Sequence, residues 1–85
     1  MIVPTVHLNG TSRESLLDDL MKASSALEEA YQALKRTAPN GRDYYPQGPD
    51  AVYLAEGEHR SRLERLDSVK GEVDQLAVAV DRAGR

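Results

Sequence analysis

Two runs of apolar or small residues, spaced alternately by three and four positions, constrain this chain more than any other feature. The first run comprises Leu16, Leu20, Ala23, Leu27, Ala30 and Leu34, and the second comprises Val52, Ala55, His59, Arg62, Leu66, Val69, Val73, Leu76 and Val80. Such spacing forms one stripe along the side of an α-helix, as in helices that pack lengthwise on each other. The chain is therefore predicted to be all-α, with two long helices.

Local signals predict where these helices begin and end. The sequence TSRE at 11–14 matches a capping box, with Thr11 as the N-cap and Glu14 three positions later. Pro39 and the following Asn-Gly pair end the first helix. The β-branched start, IVPTVHL, predicts either an edge strand or an extended arm. A single domain is predicted, with an extended arm over 1–10, a helix over 11–37, a loop over 38–49 and a helix over 50–82.

The two helices are predicted to fold back on each other as an antiparallel hairpin. If Thr37 lies opposite Asp50, Leu16 faces Gly71. The second helix then extends roughly one heptad beyond the first. The last apolar residues of the second helix are then covered by the N-terminal arm or by another subunit. These residues are Leu76, Val78 and Val80.

The small size of the chain predicts self-association. At 85 residues and 9.4 kDa, it buries only about 63% of its surface on folding, and chains in this range usually need additional stabilisation. The sequence contains no cysteine, phenylalanine or tryptophan and only two histidines. Disulfides are therefore excluded and a conventional zinc site is not expected. We expect a homo-oligomer.

Charge and motifs narrow the classes of function. The net charge is −3, with four basic and five acidic residues over 1–38 and six basic and seven acidic residues over 51–85. This mixture lacks the basic excess that duplex nucleic acid requires. No apolar run approaches the roughly 20 residues of a membrane span, so a cytoplasmic protein is expected. No nucleophile elbow, phosphate-binding glycine loop or acid–base pair is recognisable, so we predict no enzyme activity, no cofactor and no metal.

The loop sequence PNGRDYYPQGPD at 39–50 is unusually rich in proline and tyrosine for a helix–helix connection. Its three prolines restrict the backbone, and Asn40-Gly41 can supply positive φ. Such a stiff loop presents Arg42, Tyr44 and Tyr45, which suit a planar anionic ligand: the rings stack on a base while the guanidinium holds phosphate. The alternative is that the tyrosines simply cover the end of the hairpin.

The second helix places two polar residues in its apolar stripe beside this loop. His59 and Arg62 are three positions apart and therefore share a face. Polar groups in a core position cost stability unless they are paired or solvated, so they are predicted to join the loop in one binding site. In the alternative, a small rotation of the helix turns Leu63 inward and Arg62 outward onto a solvated face.

The segments HLNGTS, PNGRDYYPQG and EHRSRL, at 7–12, 39–48 and 58–63, resemble a family of small, uncharacterised tailed-phage accessory proteins. The architecture is also similar to that of phage anti-CBASS and anti-Thoeris sponges. These small helical hairpins assemble into compact oligomers and sequester cyclic-nucleotide or cyclic ADP-ribose signals. The second resemblance lies in the architecture, because the hairpin motif of the best-known sponge family is absent from this sequence.

Three functions are consistent with these features. The first is sequestration of a nucleotide-derived immune signal in the cytoplasm of an infected cell, with Arg42 and Arg62 on phosphate, Tyr44 and Tyr45 on a base, and His59 as a hydrogen-bond donor. The second is a protein–protein inhibitor of a host defence protein, or a phage structural adaptor, in which the same side chains are interface hot spots. The third, an enzyme acting on a nucleotide, is the least favoured.

Overall fold

The computed structural model describes residues 1–83 and is all-helical. Helix α1 spans Arg13–Lys35, α2 is a single turn over Gly41–Tyr44, a 3-10 turn follows over Tyr45–Gln47, and α3 spans Ala51–Ala83. No strand occurs within residues 1–83, so the edge-strand alternative for the N-terminal segment is not found. Residues 1–7 have no regular secondary structure, and only Val6 among them is half-buried.

The N-cap of α1 is Ser12 and not the predicted Thr11. Ser12 is extended, and its Oγ accepts a hydrogen bond of 3.1 Å from the backbone N–H of Ser15. An N-cap side chain serves the N–H groups two or three positions later, so this shift of one residue removes Glu14 from the position that closes a capping box. Glu14 instead lies in the first turn, where its negative charge complements the helix dipole.

Contacts between α1 and α3 pair the beginning of one helix with the end of the other. Arg13 donates from Nε and Nη2 to the carbonyl oxygen of Asp81, at 3.1 and 2.9 Å, and also bonds its carboxylate. Further along α1, the hydroxyl of Ser24 contacts Asp74. Near the end of α1, Leu34 lines a groove together with Leu66. The partner on α3 therefore moves towards its start as α1 proceeds.

The predicted register of these two helices is wrong by two to three turns. Under that register Ser24 would face Leu63, but it contacts Asp74, eleven residues further along α3. The reason lies in the loop, which folds into α2 and the 3-10 turn and packs against the first turns of α3. Since α3 has 33 residues and α1 has 23, the ten additional residues of α3 extend past the end of α1, on the side of the loop.

This register also changes which residues are covered. The end of α3 does not extend past the start of α1 as predicted, and Val80 is fully buried at 0% exposure. Val78 nevertheless remains 49% exposed, because it lies on a different side of the helix from Val80.

The core of the described chain is small and divided between its two ends. Its buried residues are Ala55 and His59 near the loop and Val80 near the termini, and α1 contributes none. The accessible surface is 6464 Å², compared with about 5,000 Å² for a compact chain of this mass. The radius of gyration is 18.7 Å, compared with about 12 Å for a compact domain of this length. The pair of long helices thus leaves much of its apolar stripe half-covered.

Candidate functional site

The loop between the long helices is an ordered structure with its own caps. Asn40 caps α2, its Oδ1 accepting a 3.0 Å hydrogen bond from the backbone N–H of Arg42. The turn then closes through a 3.2 Å bond from the N–H of Gly48 to the carbonyl oxygen of Tyr45. Gly48 has φ of 109°, whereas Asn40 has φ of −107°. The positive φ expected at Asn40-Gly41 therefore occurs at Gly48, three residues before the start of α3.

Tyr44 and Tyr45 lie together at an open apolar pocket of about 480 Å³. Tyr44 is half-buried, and Tyr45 is 77% exposed. The lining is completed by two glycines, a proline and one residue in the first turn of α3; these are Gly41, Gly48, Pro49 and Val52. We call this the tyrosine pocket. It offers ring faces and aliphatic surface, and its lining holds no charged side chain.

Arg42 lies on α2 but outside the lining of the tyrosine pocket. Its side chain is exposed, and it makes no ion pair within residues 1–83. The structure therefore places Arg42 close to the tyrosines in the chain, without directing its guanidinium into their pocket.

His59 is buried in the position that the stripe predicts. It is 8% exposed, and its side chain has no hydrogen bond within residues 1–83. No polar side-chain atom of the described residues is both fully buried and unbonded, so the ring nitrogens contact solvent through the small exposed fraction. His59 does not line the tyrosine pocket. Its surroundings are those of a packed core residue.

Arg62 lies on a different surface. It is exposed and lines a groove of about 390 Å³ that we call the arginine groove, formed by Leu34, Arg62, Arg65, Leu66 and Val69. Leu63 is half-buried, which agrees with the alternative in which Leu63 turns inward and Arg62 outward. The arginine groove and the tyrosine pocket share no residue.

Of the five residues predicted to form one site, the structure brings only Tyr44 and Tyr45 into a common pocket. Residues that the sequence interpretation did not assign also line these surfaces, namely Val52 in the tyrosine pocket and Arg65 in the arginine groove. Arg65 lies three positions after Arg62, a spacing that places both on one helix face and that would have indicated this groove.

A polar cluster between the long helices was also not recognised from the sequence. Asp74 accepts hydrogen bonds from Ser24 at 2.5 Å and from Lys70 at 3.0 Å. The Ser24 hydroxyl, followed by the Lys70 ammonium, lowers the pKa of Asp74 below its ordinary value. The bond to Asp74 in turn raises the pKa of Lys70. Both groups are therefore charged at neutral pH, and the cluster is a structural link between α1 and α3.

Metal-binding clusters and membrane-spanning helices are two further kinds of feature that would indicate a function. Within residues 1–83, no group of three or more acidic or histidine side chains is placed to hold a metal ion. No described helix combines the length and apolar character needed to cross a bilayer.

Comparison with known proteins identifies no relative: no protein-family model, no curated protein and no solved structure matches this chain.

Proposed function

We propose that this protein is a non-catalytic adaptor or inhibitor, a helical hairpin that assembles into a homo-oligomer and presents its turn to a host protein. The observation that carries the proposal is the tyrosine pocket. Tyr45 is 77% exposed at its rim, held by the ordered turn that ends at Gly48. Exposed tyrosines on a stiff support are typical hot spots of protein interfaces, because they lose little conformational entropy on binding.

The exposed surface of the chain supports the self-association part of the proposal. The helices leave Val69 and Val78 about half exposed, and Met21 is 65% exposed. These exposed apolar side chains would be removed from water if they packed against another copy of the chain. Assembly would also repeat the turn several times on one particle, which strengthens binding to a partner that has several sites.

The test of partner binding uses two tyrosines of similar exposure. Wild-type protein and the variants Tyr45→Ala and Tyr53→Ala are used to capture proteins from a host lysate; Tyr53 is 69% exposed but lies outside the tyrosine pocket. We expect a stoichiometric host protein with wild type and Tyr53→Ala, and its loss with Tyr45→Ala. Equal capture by all three proteins, or none by wild type, would contradict an interface at the turn.

Sequestration of a nucleotide-derived signal is the second candidate, and the same pocket favours it. Its volume of about 480 Å³ lies in the range of small-molecule sites, and two tyrosines offer faces for base stacking. It ranks second because phosphate requires donors, whereas Arg42 lies outside the pocket and Arg62 lines another groove. A phosphate-bearing ligand would therefore depend on movement of Arg42 or on a cation from a second copy.

Titration calorimetry against cyclic dinucleotides, cyclic trinucleotides and cyclic ADP-ribose isomers separates the two candidates. Sequestration predicts heat with wild type that is lost in Tyr45→Ala and Arg42→Ala, with unchanged circular dichroism. Mass spectrometry of the denatured protein would then reveal a co-purified small molecule. Absence of heat across the panel would remove this candidate and leave the adaptor proposal in place.

A further inference from the structure

One side of α3 carries a stripe of exposed residues. It begins on the part of α3 that extends past α1 and continues into the arginine groove; its residues are Leu54, Glu58, Arg62, Arg65 and Val69. Residues spaced by three or four positions share one face of a helix. Leu54 is 70% exposed, Val69 is 46% exposed, and the three charged residues between them are exposed. We call this stripe the α3 flank.

The charged side chains of the α3 flank have no ionic partner in their own chain. Glu58 is four positions before Arg62, a spacing at which opposite charges can pair on a helix. Neither side chain forms an ion pair within residues 1–83, however, and Arg65 forms none either. The Nε of Arg65 donates within its own helix, to the carbonyl oxygen of Ser61 at 3.3 Å. One carboxylate and two guanidinium groups are therefore available to another chain.

The order of residues along the α3 flank makes the stripe complementary to its own reverse. Leu54 precedes Glu58 by four positions, and Val69 follows Arg65 by four positions. When two α3 helices lie antiparallel with Leu54 of one opposite Val69 of the other, Glu58 consequently lies opposite Arg65. Arg62 is three positions before Arg65, so its side chain lies within about one turn of the same Glu58.

From this order we infer that the α3 flank of one copy binds the α3 flank of a second copy, in an antiparallel dimer with two-fold symmetry. This inference rests on the self-association proposed above and specifies its contact. Each apolar contact and each pair of opposite charges then occurs twice. The two Arg62 side chains meet near the axis, where a Glu58 on either side offsets their charge. A parallel pair would instead place Glu58 beside Glu58 and Arg65 beside Arg65, which is repulsive.

The position of the α3 flank leaves room for α1 in such a dimer. Glu58 directly precedes the buried His59, so the two side chains point about 100° apart around α3. The second α3 helix therefore lies beside α1 and not in its place. Leu34 of α1 lines the arginine groove together with Val69, so apolar surface of α1 borders the contact as well.

The apolar and the charged residues have different roles in this contact. Exposed ion pairs contribute little to affinity, so the burial of Leu54 against Val69 provides the attraction. The charges select the antiparallel orientation and the register. Because Leu54 is 70% exposed in a single copy, its truncation weakens association but leaves the fold of the monomer unaffected.

Charge reversal tests the pairing of Glu58 with Arg65. Glu58→Arg and Arg65→Glu each place like charges opposite each other twice in a dimer, so each variant alone should raise the dissociation constant of the dimer by about tenfold or more. An equimolar mixture of the two variants restores both pairs of opposite charges, and so does the double variant. Both should form dimers in sedimentation velocity, with circular dichroism as the check on folding.

Matched controls make the same charge changes away from the α3 flank. Glu56→Arg and Arg60→Glu alter exposed positions of α3 that lie outside the stripe. We expect both controls to dimerise like wild type. Equal dissociation of the controls and the flank variants would show a general effect of charge and overturn the inference.

Cysteine cross-linking tests the register without altering any charge. The chain contains no cysteine, so Leu54→Cys and Val69→Cys each introduce a single thiol. The two positions are about 22 Å apart along α3, which prevents a disulfide within one chain. Under mild oxidation a mixture of the two single variants should form a disulfide-linked dimer, whereas each variant alone should not.

The outcomes separate this inference from the proposed function. Flank variants that dimerise as tightly as wild type, a mixture that remains monomeric, or cross-linking of one cysteine variant alone would each overturn the antiparallel contact while self-association stands. A wild type that is monomeric at every concentration would overturn both this inference and the self-association part of the proposed function. Host-protein capture through Tyr45 would be unaffected by either result.

Discussion

The hydroxyl of Ser24 donates a 2.5 Å hydrogen bond to Asp74, joining α1 to α3 across fifty positions of the chain. Because Lys70 also donates to this carboxylate, Asp74 is held ionised between the two helices. The hydroxyl and the ammonium together lower the pKa of Asp74. This contact defines which residues of α1 and α3 lie opposite each other. It also makes the stability of the helix pair depend on the ionisation of Asp74.

Replacing Ser24 by alanine should raise the pKa of Asp74 towards its ordinary value of 3.8. A carboxylate whose pKa is lower in the folded state stabilises the fold above its unfolded pKa, and this contribution is lost as the pH falls through the folded pKa. The stability difference between wild type and Ser24→Ala should therefore be present at pH 6 and shrink below about pH 4. Carbon-detected NMR titration of Asp74, with denaturation at each pH, measures both effects, and an unchanged pKa of Asp74 would contradict the bond.

Replacing His59 by leucine should stabilise the protein by up to about 1 kcal/mol, because leucine buries more apolar area at this packed position while the imidazole gives up only its solvent contact. Thermal denaturation followed by circular dichroism measures this change. The control is Arg60→Leu, at an exposed neighbouring position, with an expected change within about 0.5 kcal/mol. A lower stability of His59→Leu would indicate that the histidine has a polar partner in the native assembly.

Truncating Val80 to alanine should cost about 2 kcal/mol, since Val80 is fully buried and its removal leaves a cavity. Leu54→Ala is the comparison, because Leu54 is 70% exposed and its truncation should change stability by less than about 0.5 kcal/mol. Urea denaturation of both variants measures the difference. An effect at Val80 as small as that at Leu54 would contradict the close packing of Val80.

Two glycines should respond to alanine in opposite directions. Gly48 has φ of 109°, a conformation that costs alanine about 1–3 kcal/mol, so Gly48→Ala should destabilise the turn. Gly57 lies inside α3 and an added Cβ would meet no atom within 4 Å. Gly57→Ala should therefore stabilise the helix by about 0.5–1 kcal/mol. A loss of stability at Gly57 would show instead that another chain or a ligand approaches the backbone there.

Local features of the sequence determined the helical segments of this protein. The three-and-four spacing of apolar residues predicts both long helices, and the stripe places His59 and Val80 inward, where the structure buries them. These features are readable because they depend on neighbours within one or two helical turns. The N-cap lies one residue later than predicted, at Ser12 and not at Thr11, because serine is the better N-cap of these two adjacent hydroxyl residues.

The register of the helices and the grouping of the candidate site were decided only by the tertiary structure. A stripe that repeats every seven residues fits its partner almost equally well after a shift of two or three turns, so periodicity alone cannot distinguish Leu63 from Asp74 as the neighbour of Ser24. The folded turn selects one register by packing against the start of α3. That packing places Tyr44 and Tyr45 at one pocket. Arg62 lines a separate groove. Successive residues of a helix point about 100° apart, so a small rotation of α3 decides which surface the Arg62 side chain reaches.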